Sequence, residues 1–252
     1  MPRNPVHSCL ALAATTALAL SAVIPQASAA PTLDTIIILD GSGSIGTVGF
    51  DAEKNLAESI IETVLPSDSN AGAFEFGTTV THDYPLQALT GSGATTLGND
   101  VAAIPYVSGS TYDKVAFQEA IDQFTASSPT GDARLVIWLT DQGEPNPAVS
   151  QDPCSLAPTA TADGIRTVVV EGNPTGGTPA LSCLASSGDI IQSKFADFPS
   201  LTSDIAAIVT QEEDSLTAPE PSGLSLLAVA LAMLATSVRM RGRRRPSHAT
   251  GQ

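Results

Sequence analysis

The residues with the clearest chemical potential follow a short apolar run near the start of the chain. Residues 35–39 are β-branched and largely apolar, which is typical of a strand buried on both faces of a parallel sheet. Asp40, Ser42 and Ser44 come next, at alternate positions in a glycine-rich turn. Carboxylate and hydroxyl oxygens suit Mg²⁺, Mn²⁺ or Ca²⁺ better than zinc or copper. The turn therefore predicts a divalent-cation site that serves binding rather than turnover.

Two later residues extend this set of oxygen donors. Asp141 follows a second apolar run, residues 135–139, and would reach the same sheet edge as Asp40 if the two strands are parallel. Thr111 precedes a helical pattern, where its hydroxyl either caps the helix or reaches the ion. Any one of these side chains, taken alone, is better explained by a helix cap or a turn. Their order at the ends of successive elements favours a shared cation site.

The first turn also fits a competing pattern. Gly41, Gly43 and Gly46 satisfy the Gly-x-Gly-x-x-Gly fingerprint of dinucleotide-binding folds. That interpretation places the charge of Asp40 beside a pyrophosphate and leaves Thr111 unexplained. The chain shows neither a Gly-x-Ser-x-Gly elbow nor a P-loop, so esterase and NTPase functions lack their defining motifs. The cation site is the preferred interpretation.

The beginning of the chain has the features of a secretory signal. Arg3 opens a short basic leader, residues 9–24 are apolar, and Ala27-Ser28-Ala29 fits the small-x-small cleavage pattern. Residues 1–29 are therefore predicted to be a signal peptide, with an N-terminal membrane anchor as the alternative. Either way, the remainder of the chain is expected outside the cytoplasm.

The C-terminal segment carries a second targeting pattern. Pro219, Glu220 and Pro221 precede an apolar run at residues 223–238, and a cluster of arginines follows it. This run is a marginal membrane span with a cytoplasm-retained basic flank. The arrangement over residues 216–252 resembles the PEP-CTERM sorting signal, which implies processing by an exosortase at a Gram-negative envelope, cell surface or extracellular matrix. A plain C-terminal membrane anchor is the alternative.

Composition narrows the classes of partner and of site. The chain has 11 Lys and Arg against 26 Asp and Glu, which disfavours nucleic-acid binding and favours cations or basic partners. His82 is the one histidine between the two terminal signals, so a multi-histidine zinc site or a Ser-His-Asp triad is disfavoured. Cys154 and Cys183 are predicted to form a disulfide in an oxidising compartment, with two buried thiols as the alternative.

Hydrophobic periodicity predicts alternating strands and helices between the two ends. Strands are predicted at residues 35–39, 71–76, 78–84, 135–139, 166–171 and 190–194, and helices at 49–65, 115–124, 156–163, 179–185 and 201–209. Residues 87–107 are expected to hold at most a short helix, and residues 211–218 an acidic linker. Glu53 is expected mostly on the solvent face of its helix. This alternation predicts an α/β fold with a doubly wound, mostly parallel sheet flanked by helices and one antiparallel edge strand.

The oxygen donors resemble a known metal site. Asp40-Gly41-Ser42-Gly43-Ser44, Thr111 and Asp141 are similar to the metal-ion-dependent adhesion site of von Willebrand factor type A domains, over a domain expected at residues 30–215. The resemblance implies that Ser42, Ser44 and Thr111 ligate Mg²⁺, or Mn²⁺ or Ca²⁺, while the two aspartates act largely through water. Asp113 departs from the family by standing where a second threonine is usual.

The resemblance also implies a function. A carboxylate presented by a protein ligand would complete the coordination of the ion, so the chain is expected to be a secreted or envelope-displayed adhesion module rather than an enzyme. A structural matrix protein with a stabilising metal site is one alternative. A metal-dependent hydrolase is another, although no general base is evident beyond His82 and scattered carboxylates.

Overall fold

A six-stranded sheet organises the part of the chain that the computed structural model describes, which comprises residues 32–126, 133–141, 152–172, 180–186 and 188–217. The strands lie in the order β3-β2-β1-β4-β5-β6, and all neighbours are parallel except β2 and β3. Their bounds are β1 Leu33–Asp40, β2 Asn70–Phe76, β3 Val80–Ala88, β4 Ala133–Thr140, β5 Ile165–Gly172 and β6 Ile190–Ser193.

Helices cover both faces of this sheet. They are α1 Gly46–Ser59, α2 Gly93–Ala102, α3 Asp113–Ala126, α4 Ala157–Ala162 and α5 Thr202–Thr217. A π-helical turn, Ile60–Val64, continues α1, and short 3₁₀ turns occupy Pro153–Leu156, Ala180–Cys183 and Phe195–Ser200. The predicted doubly wound α/β fold with an antiparallel edge strand is confirmed.

Strand β1 divides the core into two apolar layers. Every residue of β1 is buried, and its side chains alternate between the layers because successive residues of a strand point to opposite faces. Ile37 and Leu39 pack with Phe50 and the α1, α2 and α5 side, whereas Ile38 packs with Trp138 and the α3 side. Burial of each large aliphatic side chain contributes about 2 kcal/mol. Two packed layers therefore hold the carboxyl end of β1 in a fixed position.

The short helix allowed within residues 87–107 is α2, in which buried Leu97 and Val101 offset the roughly 1 kcal/mol that an interior glycine costs a helix. The end of the chain's last helix differs from the prediction. The acidic segment after residue 210 was predicted to be a linker, but α5 continues to Thr217. Leu216 packs against the core and Glu212 accepts a hydrogen bond from Arg166, so tertiary contacts extend this helix.

A disulfide joins Cys154 and Cys183, as predicted, with their Cα atoms 5.5 Å apart. It ties together the two 3₁₀ turns that precede and follow β5 along the chain. The signal peptide predicted at residues 1–29 and the sorting signal at Pro219, Glu220 and Pro221 lie outside the described residues. No helix among the described residues is long and apolar enough to cross a membrane.

Candidate metal centre

The carboxylate of Asp40 is held in place at the end of β1. Asp40 is fully buried, and its Oδ1 accepts a hydrogen bond of 2.8 Å from the backbone N–H of Ser42. Its Oδ2 accepts a hydrogen bond of 2.6 Å from the hydroxyl of Thr140, because the parallel register of β1 and β4 sets Leu39 beside Leu139. Asp40 therefore links the backbone of the first turn to the end of β4.

The hydroxyls of the first turn connect Asp40 to Asp141. The Oγ atoms of Ser42 and Ser44 are 3.0 Å apart, and the Ser44 hydroxyl donates a hydrogen bond of 3.0 Å to Asp141 Oδ1. Ser42 is buried, whereas Ser44 is exposed. The sheet thus brings four of the predicted site residues into one hydrogen-bonded chain that leads from the interior to solvent.

The loop that carries Thr111 lies beside the first turn. Gly109 donates a backbone hydrogen bond of 3.0 Å to the carbonyl of Gly41 and accepts one of 2.8 Å from the N–H of Gly43. A side chain at Gly109 would not fit, because its Cβ would lie 2.6 Å from the backbone N of Thr78. Thr111 follows two residues later, half-buried, and its hydroxyl makes no hydrogen bond to the described residues. The structure brings this loop to the site without linking Thr111 into the hydrogen-bonded chain.

Two further hydroxyl groups support the site and were missed in the sequence. One is Thr140, and the other is Tyr106, whose hydroxyl donates a hydrogen bond of 3.0 Å to the carbonyl of Ser42. The ring of Tyr106 packs against Phe50, with centroids 5.5 Å apart. Thr140 could have been found by its position between a buried strand and Asp141. Tyr106 carries no comparable signal, because a long loop brings it to the turn.

Glu53 lies beneath the site, which corrects its predicted position on the solvent face of α1. It is fully buried, and its Oε2 accepts a hydrogen bond of 2.9 Å from the backbone N–H of Asp40. Its Oε1 has no hydrogen-bond partner among the described residues. Burial, with the charge of Asp40 as a smaller cause, raises the pKa of Glu53 well above its usual value. Its helical spacing from buried Phe50 and Ala57 was the signal that could have revealed this.

Asp113 is another buried carboxylate near the site. It begins α3, and its Oδ1 accepts no hydrogen bond from any residue that the structure describes. Burial, and then the charge of Asp40, raises the pKa of Asp113 to about 7. Burial likewise raises the pKa of Asp40 to about 6, against the opposing hydrogen bonds of Ser42 and Thr140. Burial also raises the pKa of Asp141. The protein itself thus disfavours negative charge at this edge of the sheet.

No described lysine or arginine forms an ion pair with these carboxylates. The ion pairs among the described residues join Lys54 to Asp51, His82 to Glu75, and Arg166 to Asp189 and Glu212. A buried carboxylate without a counter-ion is costly, so it either takes up a proton or meets a cation from outside the chain. The electrostatics of the site therefore favour an added positive charge.

The residues present fit a hard divalent cation. The donor set combines the carboxylates of Asp40 and Asp141 with the hydroxyls of Ser42, Ser44 and Thr111, and oxygen donors of this kind are preferred by Mg²⁺, Mn²⁺ and Ca²⁺. The described residues contain no group of three or more His, Cys, Asp or Glu side chains arranged to hold a metal. A site at this position would consequently depend on its hydroxyls.

Comparison with known proteins identifies the family and the fold. The model of the von Willebrand factor type A domain matches residues 34–207. Crystal form 2 of proximal thread matrix protein 1 from the mussel byssus is similar, with a TM-score of 0.60 and 16% identity over 70% of this chain and 47% of that one. A structure of the same protein with a zinc-occupied MIDAS motif gives a TM-score of 0.58 and 17% identity over 71% of this chain and 46% of that one. The chain thus spans about half the length of these structures, and no curated protein matches it in sequence.

Proposed function

The chain belongs to the von Willebrand factor type A domain family, and we propose that it is an exported, non-enzymatic module that binds a protein ligand through a divalent cation. Domains of this family are typically non-catalytic interaction modules. The observation that carries the proposal is the hydrogen-bonded chain Asp40, Ser42, Ser44 and Asp141 at the carboxyl edge of the sheet. Within that chain Ser44 is exposed, so a macromolecule has access to its hydroxyl.

Each residue of the centre has a distinct role in this proposal. Ser42, Ser44 and Thr111 would provide the inner oxygens. Asp40 holds the turn in shape through the N–H of Ser42, and Asp141 orients the hydroxyl of Ser44. Mg²⁺ is the favoured ion, with Mn²⁺ and Ca²⁺ as alternatives, and when bound it would supply the positive charge that receives a ligand carboxylate.

Exposed valines near the site support a protein as the ligand. The large hydrophobic side chains exposed among the described residues are Val48 at 82%, Val107 at 59% and Val115 at 38%. Val48 follows Ser44 by four positions, and the other two flank Thr111 at the same spacing. Exposed apolar groups around a polar site are typical of protein interaction surfaces. A small hydrophilic ligand would make no use of them.

A structural role in a matrix is the second candidate. It is favoured by the similarity to a thread matrix protein, one of whose structures has zinc in its MIDAS motif. In that case the cation would mainly stabilise the fold. Thermal melting with Mg²⁺ and with EDTA, beside a ligand assay, separates the candidates: a large Mg²⁺-dependent shift without any ligand favours the matrix role.

We further propose that the domain at residues 30–215 is exported by the signal at 1–29 and retained at the envelope, surface or matrix by the segment at 216–252. The supporting features are the cleavage pattern at Ala29 and the sequence Pro219-Glu220-Pro221 before an apolar run and arginines. Intact mass spectrometry of the exported protein tests this. A mature chain that begins at Ala30 and lacks the arginine cluster supports an exosortase, and an intact tail supports a plain anchor.

Ligand capture from envelope and matrix fractions tests the proposed binding function. The full-length chain should retain a ligand in Mg²⁺ and release it in EDTA. Asp141→Ala should abolish capture in Mg²⁺, whereas Asp122→Ala should leave it unchanged, because Asp122 is an exposed carboxylate on α3. Capture that survives both EDTA and Asp141→Ala would reject the proposal.

A further inference from the structure

A small cavity adjoins the metal centre across Gly41. Its volume is about 70 Å³, and its walls include Gly41, Gly109, Thr79 and Val107, with the carboxylate of Glu75. Gly41 stands between Asp40 and Ser42, and Gly109 is hydrogen-bonded to Gly41. The cavity therefore lies next to the proposed ion site but uses different side chains.

Glu75 presents a free acceptor at this cavity. Its side chain is 2% exposed, and its Oε2 accepts a hydrogen bond of 3.1 Å from the Thr81 hydroxyl and lies 2.9 Å from His82 Nδ1. Its Oε1 makes no hydrogen bond to a described residue. That oxygen lies against Gly41, where any added Cβ would clash with it. Glycine at position 41 thus leaves room for this buried carboxylate oxygen, and both residues line the cavity.

The chemistry of the cavity selects a compact cation with several N–H donors. Glu75 supplies a carboxylate oxygen, and Thr79 and its neighbours supply hydroxyls. Among the described residues, His82 pairs with Glu75 through Oε2, at 2.9 Å, and no lysine or arginine pairs with it. Glu75 Oε2 already contacts Thr81 and His82, so one carboxylate oxygen is left for a ligand. An ammonium can direct a donor at that single oxygen, whereas the planar fork of a guanidinium is suited to both oxygens of a carboxylate. Val107, 59% exposed, offers an apolar wall for the methylene stem behind the charge.

We propose that this cavity binds a primary ammonium group, presented by a lysine side chain of the protein ligand. The assignment to a partner's lysine rests on the proposed function, whereas the affinity of the cavity for ammonium groups does not. A ligand of this kind would present a carboxylate to the metal centre and a lysine to Glu75 on one surface. The net charge of −15 on the chain favours such basic partners.

Titration of the full-length chain with methylammonium, followed by amide NMR, tests the proposal. Saturable shifts are expected at Gly41, Thr79 and Gly109. Glu75→Gln should weaken binding at least about tenfold, because it removes a charge-assisted hydrogen bond. Glu171→Gln is the matched control, since Glu171 is a buried glutamate on β5 that does not line the cavity. Equal shifts in wild type and Glu75→Gln, or equal shifts with tetramethylammonium, which has no N–H donor, would overturn the proposal.

A second variant keeps the test decisive should Glu75→Gln fail to fold. Butylammonium should bind the wild-type chain severalfold more tightly than methylammonium, because its alkyl chain contacts Val107. Val107→Ala, a change at an exposed position, should remove this gain; an unchanged preference would contradict the proposed orientation. Asp141→Ala should retain methylammonium binding even where it loses Mn²⁺. Loss of ammonium binding at the cavity is therefore distinguishable from loss of metal binding at the metal centre.

Discussion

The clusters around Arg166 and around Asp40 both bury acidic side chains, but they balance the charge differently. Arg166 donates to both carboxylate oxygens of Asp189, from Nε at 2.6 Å and from an Nη at 3.0 Å, and to Glu212 at 3.0 Å. The hydrogen bonds with Asp189 are the largest cause of a raised pKa at Arg166. This cluster contains its own cation and ties α5 and the start of β6 to β5.

The cluster around Asp40 has no such cation among the described residues. Asp40, Glu53 and Asp113 all have raised pKa values, with burial as the first cause. One oxygen of Glu53 and one of Asp113 lack a hydrogen-bond partner in the described part of the chain. Buried acidic side chains in this fold therefore serve two purposes. Around Arg166, acidic side chains connect a helix and two strands through ion pairs. Around Asp40, where no described arginine is present, the carboxylates form a site for an external cation.

Removal of the arginine should have the largest effect on stability. Arg166→Met leaves Asp189 and Glu212 without a counter-ion, so the free energy of unfolding should fall by about 3 kcal/mol. Arg134→Met is the control and should cost about 1 kcal/mol or less, because Arg134 donates to a single backbone carbonyl at a more exposed position. Urea unfolding in EDTA measures both. Similar losses in the two variants would contradict the distinction.

The buried carboxylates around Asp40 should make the free energy of unfolding depend on pH. The pKa values of about 6 for Asp40 and about 7 for Asp113 exceed the ordinary aspartate value. Between about pH 4 and 7 the folded chain therefore binds more protons than the unfolded chain, so the free energy of unfolding should fall steadily as the pH rises through this range.

Urea unfolding in EDTA at a series of pH values checks this. Asp113→Asn should reduce the slope of stability against pH, and the exposed control Asp122→Asn should not. Saturating Mg²⁺ should restore stability mainly at the higher pH, where the carboxylates are ionised. A slope of the opposite sign in EDTA, or one unaffected by Asp113→Asn, would refute the assignment.

The smallest effect is expected at Glu53. Burial raises the pKa of Glu53 well above its usual value, which favours the neutral form, so the neutral and equally shaped side chain in Glu53→Gln should change stability by less than about 1 kcal/mol. The matched change Asp189→Asn, in the arginine cluster, should cost about 2 kcal/mol because it weakens a charge-assisted bidentate pair. Thermal melting at pH 7 compares the two variants. Equal losses of stability in the two variants would contradict the proposed difference between the two clusters.

The sequence predicted the elements whose signal is local. Apolar β-branched runs located β1, β4 and β5 to within two residues at each end, because a strand buried on both faces requires such a run. The same runs located Asp40 and Asp141 at one edge, since parallel strands share the position of their carboxyl ends. The Ser44–Asp141 contact follows from that topology.

The rest depended on tertiary contacts that a linear pattern does not contain. Helix α2 was obscured by its glycines, and the last turns of α5 by their acidic residues. The charge of Glu53 suggests a surface position, although its helical spacing from Phe50 and Ala57 assigns it to the buried face of α1. Tyr106 reaches Ser42 from a loop without regular structure. Sequence-based predictions of burial were weakest for polar residues that support the site from the protein interior.

Direct binding of Mn²⁺, followed by electron paramagnetic resonance, tests the central claim that the oxygens of the first turn and Asp141 hold a divalent cation. The full-length wild-type chain should bind Mn²⁺ at pH 7.5 and release it to excess Mg²⁺. Asp141→Ala should weaken Mn²⁺ affinity about 100-fold, because Ser44 then loses the carboxylate that orients it, while Asp122→Ala should bind as wild type does. Absence of Mn²⁺ binding in the wild type, or equal affinity in Asp141→Ala, would contradict the claim.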